Sequence, residues 1–355
     1  MKKRVVSIEC LRILAMMMVV MLHYLGKGNL LPDLLGDMGS NGYVAWGMES
    51  LCIVAVNVYM LISGYFLVNT QFRFSRLIEL GFQVLFYSIL VSVVLLAVGV
   101  IGKDSLTFNR LLEMVFPVQM EHYWFITAYV IMYLFAPFIS LGIKQMEQKQ
   151  LRHIILALLV FFSLSKSILP VDLKIDNKGY DGLWFLCVFL VAAYIRLYGI
   201  PFLEKGKLRA VCCYLAGCGA IFAITFLVRA VYMKTGSLDH FVQDAYHYNH
   251  IVNLFAAVGL FYTFLNMKLS TEGIFAKFIY GVAPCSLGVY LLHEQLEIRY
   301  LWPKWLGANA EGSPVWFVLR AICSVLLVYA LGTMIDWLRM KLFACVKKCG
   351  EKLWF

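Results

Sequence analysis

The run Leu80-Gly81-Phe82-Gln83-Val84-Leu85-Phe86-Tyr87-Ser88-Ile89-Leu90-Val91-Ser92-Val93-Val94-Leu95-Leu96-Ala97-Val98-Gly99-Val100-Ile101 holds no Asp, Glu, Lys or Arg. As a helix it would be about 30 Å long, the thickness of a bilayer's hydrocarbon core. Residues 46–68, 123–143, 210–228 and 248–267 read the same way. Residues 8–25, 154–169, 183–198, 278–296 and 314–337 are weaker candidates, each carrying a polar or charged residue. Ten spans are therefore expected. The whole chain agrees: of 355 residues 62% are apolar and 15% charged, against about 45–50% and about 25% in soluble domains. Such a surplus excludes a water-facing globule, a disordered chain and nucleic-acid binding as the main role. The class is an all-α polytopic membrane protein, with the bilayer as its first partner.

The net charge of +10 comes from 31 Lys and Arg against 21 Asp and Glu. With the N-terminus in the cytoplasm, the inner segments hold 19 of these basic residues and the outer segments 9; Arg12, Arg229 and Arg320 fall within helices. This bias follows the positive-inside rule and puts both termini in the cytoplasm. The start Met1-Lys2-Lys3-Arg4 resembles a signal peptide, but no small-residue cleavage site follows and Arg12 interrupts the apolar region, so an uncleaved first helix is expected. The 10 Cys offer no disulfide framework and no C-x-x-C site. Most, such as Cys187 and Cys218, lie in apolar runs as small hydrophobes. No internal repeat, low-complexity stretch or loop large enough to fold alone is visible. Residues 1–355 read as a single membrane domain with no soluble domain appended.

Ionisable residues inside a span are costly, so each is a functional hypothesis. Glu9, Arg12 and His23 share the first helix. Eleven residues turn a helix about 1100°, so Arg12 and His23 lie on one face about 16 Å apart, and Glu9 can pair with Arg12 one turn away. Arg73-Phe74-Ser75-Arg76 occupies the inner turn after the second span. Such arginines can hold phosphates, bind anionic lipid headgroups or merely mark topology. Ser63-Gly64-Tyr65 ends that span, where close helix packing is the first explanation. Asn57, mid-span, needs a partner for its amide. Glu121-His122-Tyr123-Trp124 enters the fourth span, where an aromatic belt is expected. Tyr290-Leu291-Leu292-His293-Glu294 closes the ninth at the same outer level as His23. Histidine exchanges a proton near neutral pH, as general acid–base catalysis requires. Phosphate-binding arginines inside and histidines outside suggest a group passed across the membrane. Walker, G-x-S-x-G and H-E-x-x-H motifs and metal-ligand spacings are absent, so ATPase, lipase and peptidase readings have no support and no metal is expected.

These motifs resemble the integral-membrane acyltransferase-3 family, in order and over nearly the whole chain. The family's first-helix Arg, ten residues, then His reads Arg12 to His23, with Glu9 where Asp is more usual. Its Arg-x-x-Arg reads Arg73 to Arg76, its Ser-Gly-Tyr reads Ser63 to Tyr65, its aromatic entry reads His122-Tyr123-Trp124-Phe125, and its late Tyr-Leu-x-His reads Tyr290 to His293. Gln295 stands where the family commonly has Pro. The resemblance implies a membrane acyltransferase taking an acyl group, typically acetyl, from acyl-CoA to a hydroxyl of an envelope glycan or other acceptor beyond the membrane. It implies no permanently bound cofactor, with acetyl-CoA as donor substrate. His23 would be base or acyl carrier, with Arg12 orienting the donor or stabilising charge and Glu9 beside it. Arg73 and Arg76 would hold the donor's phosphates, and His122, Trp124, His293, Ser63 and Tyr65 would support the acceptor side. A multi-pass protein of the cell membrane is implied. The family's extra hydrolase-like or racemase domains do not fit in this length. The rival class is a transporter or flippase, against which stands the lack of correspondence between residues 1–170 and 180–355.

Overall fold

The computed structural model describes residues 5–353 apart from 103, 105, 171 and 172, with side chains as far as 346. The basic start Lys2, Lys3 and Arg4, Lys103, and the side chains of Lys347, Lys348, Cys349 and Lys352 lie outside the described residues. Every regular element among those described is helical. In chain order they are α1 (Val6–Lys27), α2 (Ser40–Cys52), α3 (Ala55–Leu67), α4 (Phe74–Ala97), α5 (Phe108–Val115), α6 (Trp124–Lys144), α7 (Gln148–Leu159), α8 (Ser165–Ile168), α9 (Gly182–Tyr198), α10 (Pro201–Glu204), α11 (Lys207–Thr235), α12 (Ile251–Leu265), α13 (Ile274–Val282), α14 (Ser286–His293), α15 (Trp302–Trp305) and α16 (Pro314–Leu353).

Nine helical segments among the described residues are long and apolar enough to cross a membrane. The expected tenth is α9, 17 residues and apolar. Its shortness has a physical reason: Phe185, Val188, Phe189 and Ala192 are fully buried, so protein rather than lipid surrounds much of its length. Its neighbour α3 approaches closely because a Cβ on Gly64 would stand 2.8 Å from that of Ala192. The packing expectation for Ser63-Gly64-Tyr65 holds at this glycine. Asn57 finds its partners across helices as well, donating to the Tyr248 carbonyl at 2.7 Å and accepting from Trp184 Nε1 at 2.9 Å.

The spans sort into a core and a lipid-facing ring. In α1, the α2–α3 pair and the segment holding α12, 61%, 67% and 72% of the most apolar window is buried, against 28% in α4 and 22% in α11. The run that decided the fold thus turns Phe82, Val93 and Val94 outward. Its helix begins earlier than hydropathy suggests, at Phe74, and stops at Ala97, just before Gly99, whose φ of 74° ends helical propagation.

Two of the interrupted spans bear on the interior. A turn at Ile53-Val54 divides α2 from α3, and a 3-10 turn at Ala283–Cys285, containing Pro284, divides α13 from α14. Proline removes a helical N–H and crowds the preceding turn, so the break follows from the sequence. Between α4, α14 and α16 lies an ion pair with little signal in the sequence. Asp336, 0% exposed, accepts from Arg339 Nε at 2.6 Å and from the Tyr87 hydroxyl at 2.7 Å. Gly288 of α14 leaves room for it, since a Cβ there would meet the Asp336 carboxyl.

Candidate active site

A cavity of about 430 Å³ runs through the core between α1, α3, α4, α6 and the broken α13–α14 span. On α1 its wall is Glu9, Arg12, Met16, Val19, Leu22 and His23, residues that share one helix face. From α3 come Val56, Tyr59 and Ser63; from α4, Arg76, Leu77 and Leu80; from α6, Trp124 and Tyr129 among others; from the break onward, Pro284, Ser286 and Tyr290. The break therefore lies in the cavity wall, where irregular backbone is tolerated within a membrane.

One end of the cavity is cationic. Arg12 stands 3.8 Å from Glu9, and its buried Nε makes no hydrogen bond. Tyr59 fixes the local backbone by donating to the Arg12 carbonyl at 2.7 Å. Arg76, exposed, completes this end. Its expected companion Arg73 is the N-cap of α4, also exposed and away from the wall, with its backbone against the Tyr133 hydroxyl. The Arg73–Arg76 pair thus separates at the helix boundary. Tyr65 also sits off the cavity, bonding Arg196 at 2.9 Å.

At the other end, His23 faces His293 across 270 residues of sequence, Nδ1 to Nε2, at 2.8 Å. The direction of this bond follows from what lies behind it. Nδ1 of His293 is 2.6 Å from the Val289 carbonyl, and a carbonyl oxygen can only accept, so that nitrogen carries a proton. With one proton on its ring, His293 accepts at Nε2 from the Nδ1–H of His23. The remaining nitrogen of His23, Nε2, is thereby left with its lone pair. Glu294 Oε2 lies 3.2 Å from the same Nδ1, placed to pair with His23 once the ring takes a second proton.

The turn holding His293 and Glu294 is fixed at several points. Tyr123 donates to the Leu291 carbonyl at 2.9 Å and Trp302 Nε1 to that of His293 at 3.0 Å. His122 accepts from the Leu296 amide at 3.1 Å, and burial holds its ring neutral by lowering its pKa to about 3. It supports the turn and does not line the cavity. Gln295, in the place where Pro was expected, is fully buried; it donates to Ser92 at 2.8 Å and accepts from the Glu297 amide at 2.8 Å. Hydrogen bonds here do the work of a rigid ring. Beyond it, α5, missed in the sequence, brings Arg110 onto Glu297. Glu294, 3% exposed, lies 3.8 Å from Lys27 and 3.3 Å from Arg299; burial pushes its carboxyl up against the pull of these cations and of His293. In the sequence Glu294 is one acid at the end of a span and carries no signal of its own.

This is a multi-pass helical membrane protein with a histidine pair at one end of an internal cavity and arginines at the other. A family model described as an acyltransferase domain, that of the acyltransferase-3 family, matches residues 5–333. The chain belongs to that family and is a membrane acyltransferase. No curated protein and no solved structure matches it.

Proposed function

We propose that this acyltransferase moves an acetyl group from acetyl-CoA in the cytoplasm to a hydroxyl of an envelope glycan or another acceptor outside the cell membrane. One observation carries the reading: a single cavity joins Arg12 and Arg76 to His23. In this reading ten spans, with α9 as the short one, leave both termini cytoplasmic, so the arginine end faces inward and the histidine end outward. Arg76 holds a phosphate of the donor at the inner mouth. Arg12, whose side chain leans toward the N-terminus of α1 as helical side chains do, orients the donor rather than reaching His23. The acyl arm lies along the mostly apolar wall, with Ser63 and Ser286 as polar points of contact. His23 Nε2 takes the proton of the acceptor hydroxyl, and Glu294 and His293 steady the imidazolium that forms. Trp124 narrows the outer end around the acyl group.

Comparing ester-linked acetyl on envelope polymers, by NMR, between a deletion strain and one complemented with the wild type or His23→Ala tests this reading. Acetyl should return with the wild type and not with His23→Ala; equal acetyl in all three strains excludes it. A transporter of glycan or solute would show no acetyl-CoA binding by the purified protein in detergent, whereas the acyltransferase binds it.

A further inference from the structure

Acyl transfer builds negative charge on the carbonyl oxygen of the acyl group, and enzymes meet that charge with fixed hydrogen-bond donors. Arg12 stands three turns of α1 away from His23, about 16 Å along the axis, so the charge at the His23 end needs another partner. Two unused donors lie there. Tyr290, 4% exposed, forms part of the cavity wall, and its buried hydroxyl makes no hydrogen bond. It is the one tyrosine hydroxyl so placed among the described residues. The half-buried Tyr59 and the buried Tyr123 and Tyr246 each donate to a backbone carbonyl. A buried polar group left unpaired is costly, so its retention at the cavity calls for a reason.

The second donor is the start of α6. Trp124, Phe125 and Ile126 all line the cavity, and no side chain caps the helix. The amides of Ile126 and Thr127 bond to the Tyr123 carbonyl, whereas those of Trp124 and Phe125 make no hydrogen bond among the described residues. The Phe125 amide sits beside the Tyr290 hydroxyl, outside hydrogen-bond geometry. The Phe125 and Tyr290 rings are 5.9 Å apart, and the Tyr290 ring is 6.3 Å from that of His23. Glu121, with φ of 53°, turns the chain into this helix start.

We propose that the Tyr290 hydroxyl and the open N-terminus of α6 at Phe125 form the oxyanion hole of the acyl transfer, facing His23. The proposal rests on the acyl-transfer reading above. His23 Nε2 takes the proton of the acceptor hydroxyl as its oxygen bonds to the thioester carbonyl carbon. The π pair of that carbonyl moves onto its oxygen, which Tyr290 O–H and Phe125 N–H hold. The pair then re-forms the carbonyl as the C–S bond breaks, and the CoA sulfur leaves with the bonding electrons and takes the proton from His23. A helix N-terminus adds a favourable dipole to the same anion.

Inside-out membrane vesicles from a deletion strain, expressing the wild type, Tyr290→Phe or His23→Ala, are given labelled acetyl-CoA at graded concentrations, and label in envelope polymer is followed. Tyr290→Phe should lower the limiting rate about 100-fold and leave the half-saturating acetyl-CoA concentration where it was. Its thermal unfolding in detergent should match or exceed the wild type's, because the lost hydroxyl bonds nothing in the resting protein. An unchanged limiting rate overturns the proposal, as does a loss confined to half-saturation. A Tyr290→Phe protein that does not fold also overturns it, since the hydroxyl would then be structural. If the wild type incorporates no more label than His23→Ala, the acyl-transfer reading itself falls.

Discussion

The Asp336 cluster and the His23 cluster are both polar groups sunk into an apolar helix bundle, and they differ in how completely they are satisfied. Around Asp336 the carboxylate receives Arg339, Tyr87 and Gln83, and nothing there lines the cavity. Around His23 the backing is just as dense, but the face toward the cavity is left open. Among the described residues, one nitrogen of His23, the Tyr290 hydroxyl and two amides of α6 close no hydrogen bond. Membrane burial makes unpaired polar groups expensive, so a complete cluster reads as structure and an incomplete one at a cavity reads as chemistry.

Substitutions in each cluster can break that distinction. The largest effect is expected for His23→Ala, which should cost about 10³-fold in acyl transfer while thermal unfolding in detergent stays near the wild type's. Asp336→Ala should do the reverse, destabilising the fold by about 3 kcal/mol, because the half-buried Arg339 loses its carboxylate and the Tyr87 hydroxyl its acceptor. Replacing Asp336 and Arg339 together by leucine should recover most of that stability, and denaturation curves of the single and double variants measure both. Glu294→Gln should lower transfer about 10-fold, or about 1.4 kcal/mol at the barrier, by withdrawing charge from the His23 imidazolium; its rate at saturating acetyl-CoA is the measure. At the other end of the cavity, Arg76→Ala should raise half-saturating acetyl-CoA about 10-fold by removing one charge-assisted contact. Arg73→Ala should leave it unchanged. Equal effects of the two arginine variants would return the pair to a shared role.

The last test concerns His122, which holds the turn without entering the cavity. Its folded pKa of about 3 lies below the value of about 6.5 for an unfolded chain. Between the two the unfolded state binds the extra proton, so stability is full above about pH 6.5 and is lost as pH falls toward 3. His122→Gln keeps an acceptor for the Leu296 amide and should flatten that slope, read from thermal unfolding at a series of pH values.

The first helix was legible because a helical period is written in consecutive residues. Glu9, Arg12 and His23 announce one face, and the cavity uses that face. The contact between His23 and His293 spans 270 residues and depends on how α1 and α14 pack, which no local period encodes. Asp336 could be seen as an acid within an apolar run, yet its partner Tyr87 lies 249 residues away. Arg73 and Arg76 looked equivalent because spacing alone cannot tell a helix cap from its first inward turn. Tyr290 stood inside a motif, but only the absence of a bond in three dimensions marks its hydroxyl.

The interruption at Ala283–Cys285 has a mechanical consequence. Bilayers differ in thickness, and a span answers mismatch by tilting or bending. Here α13 has a joint at which to tilt, while α14, carrying Val289, Tyr290 and His293, ends in a turn pinned by Tyr123, Trp302 and Gln295. Elastic strain from the lipid is taken up below the joint. The His293 imidazole is thereby held by the pinned turn rather than by the tilt of α13.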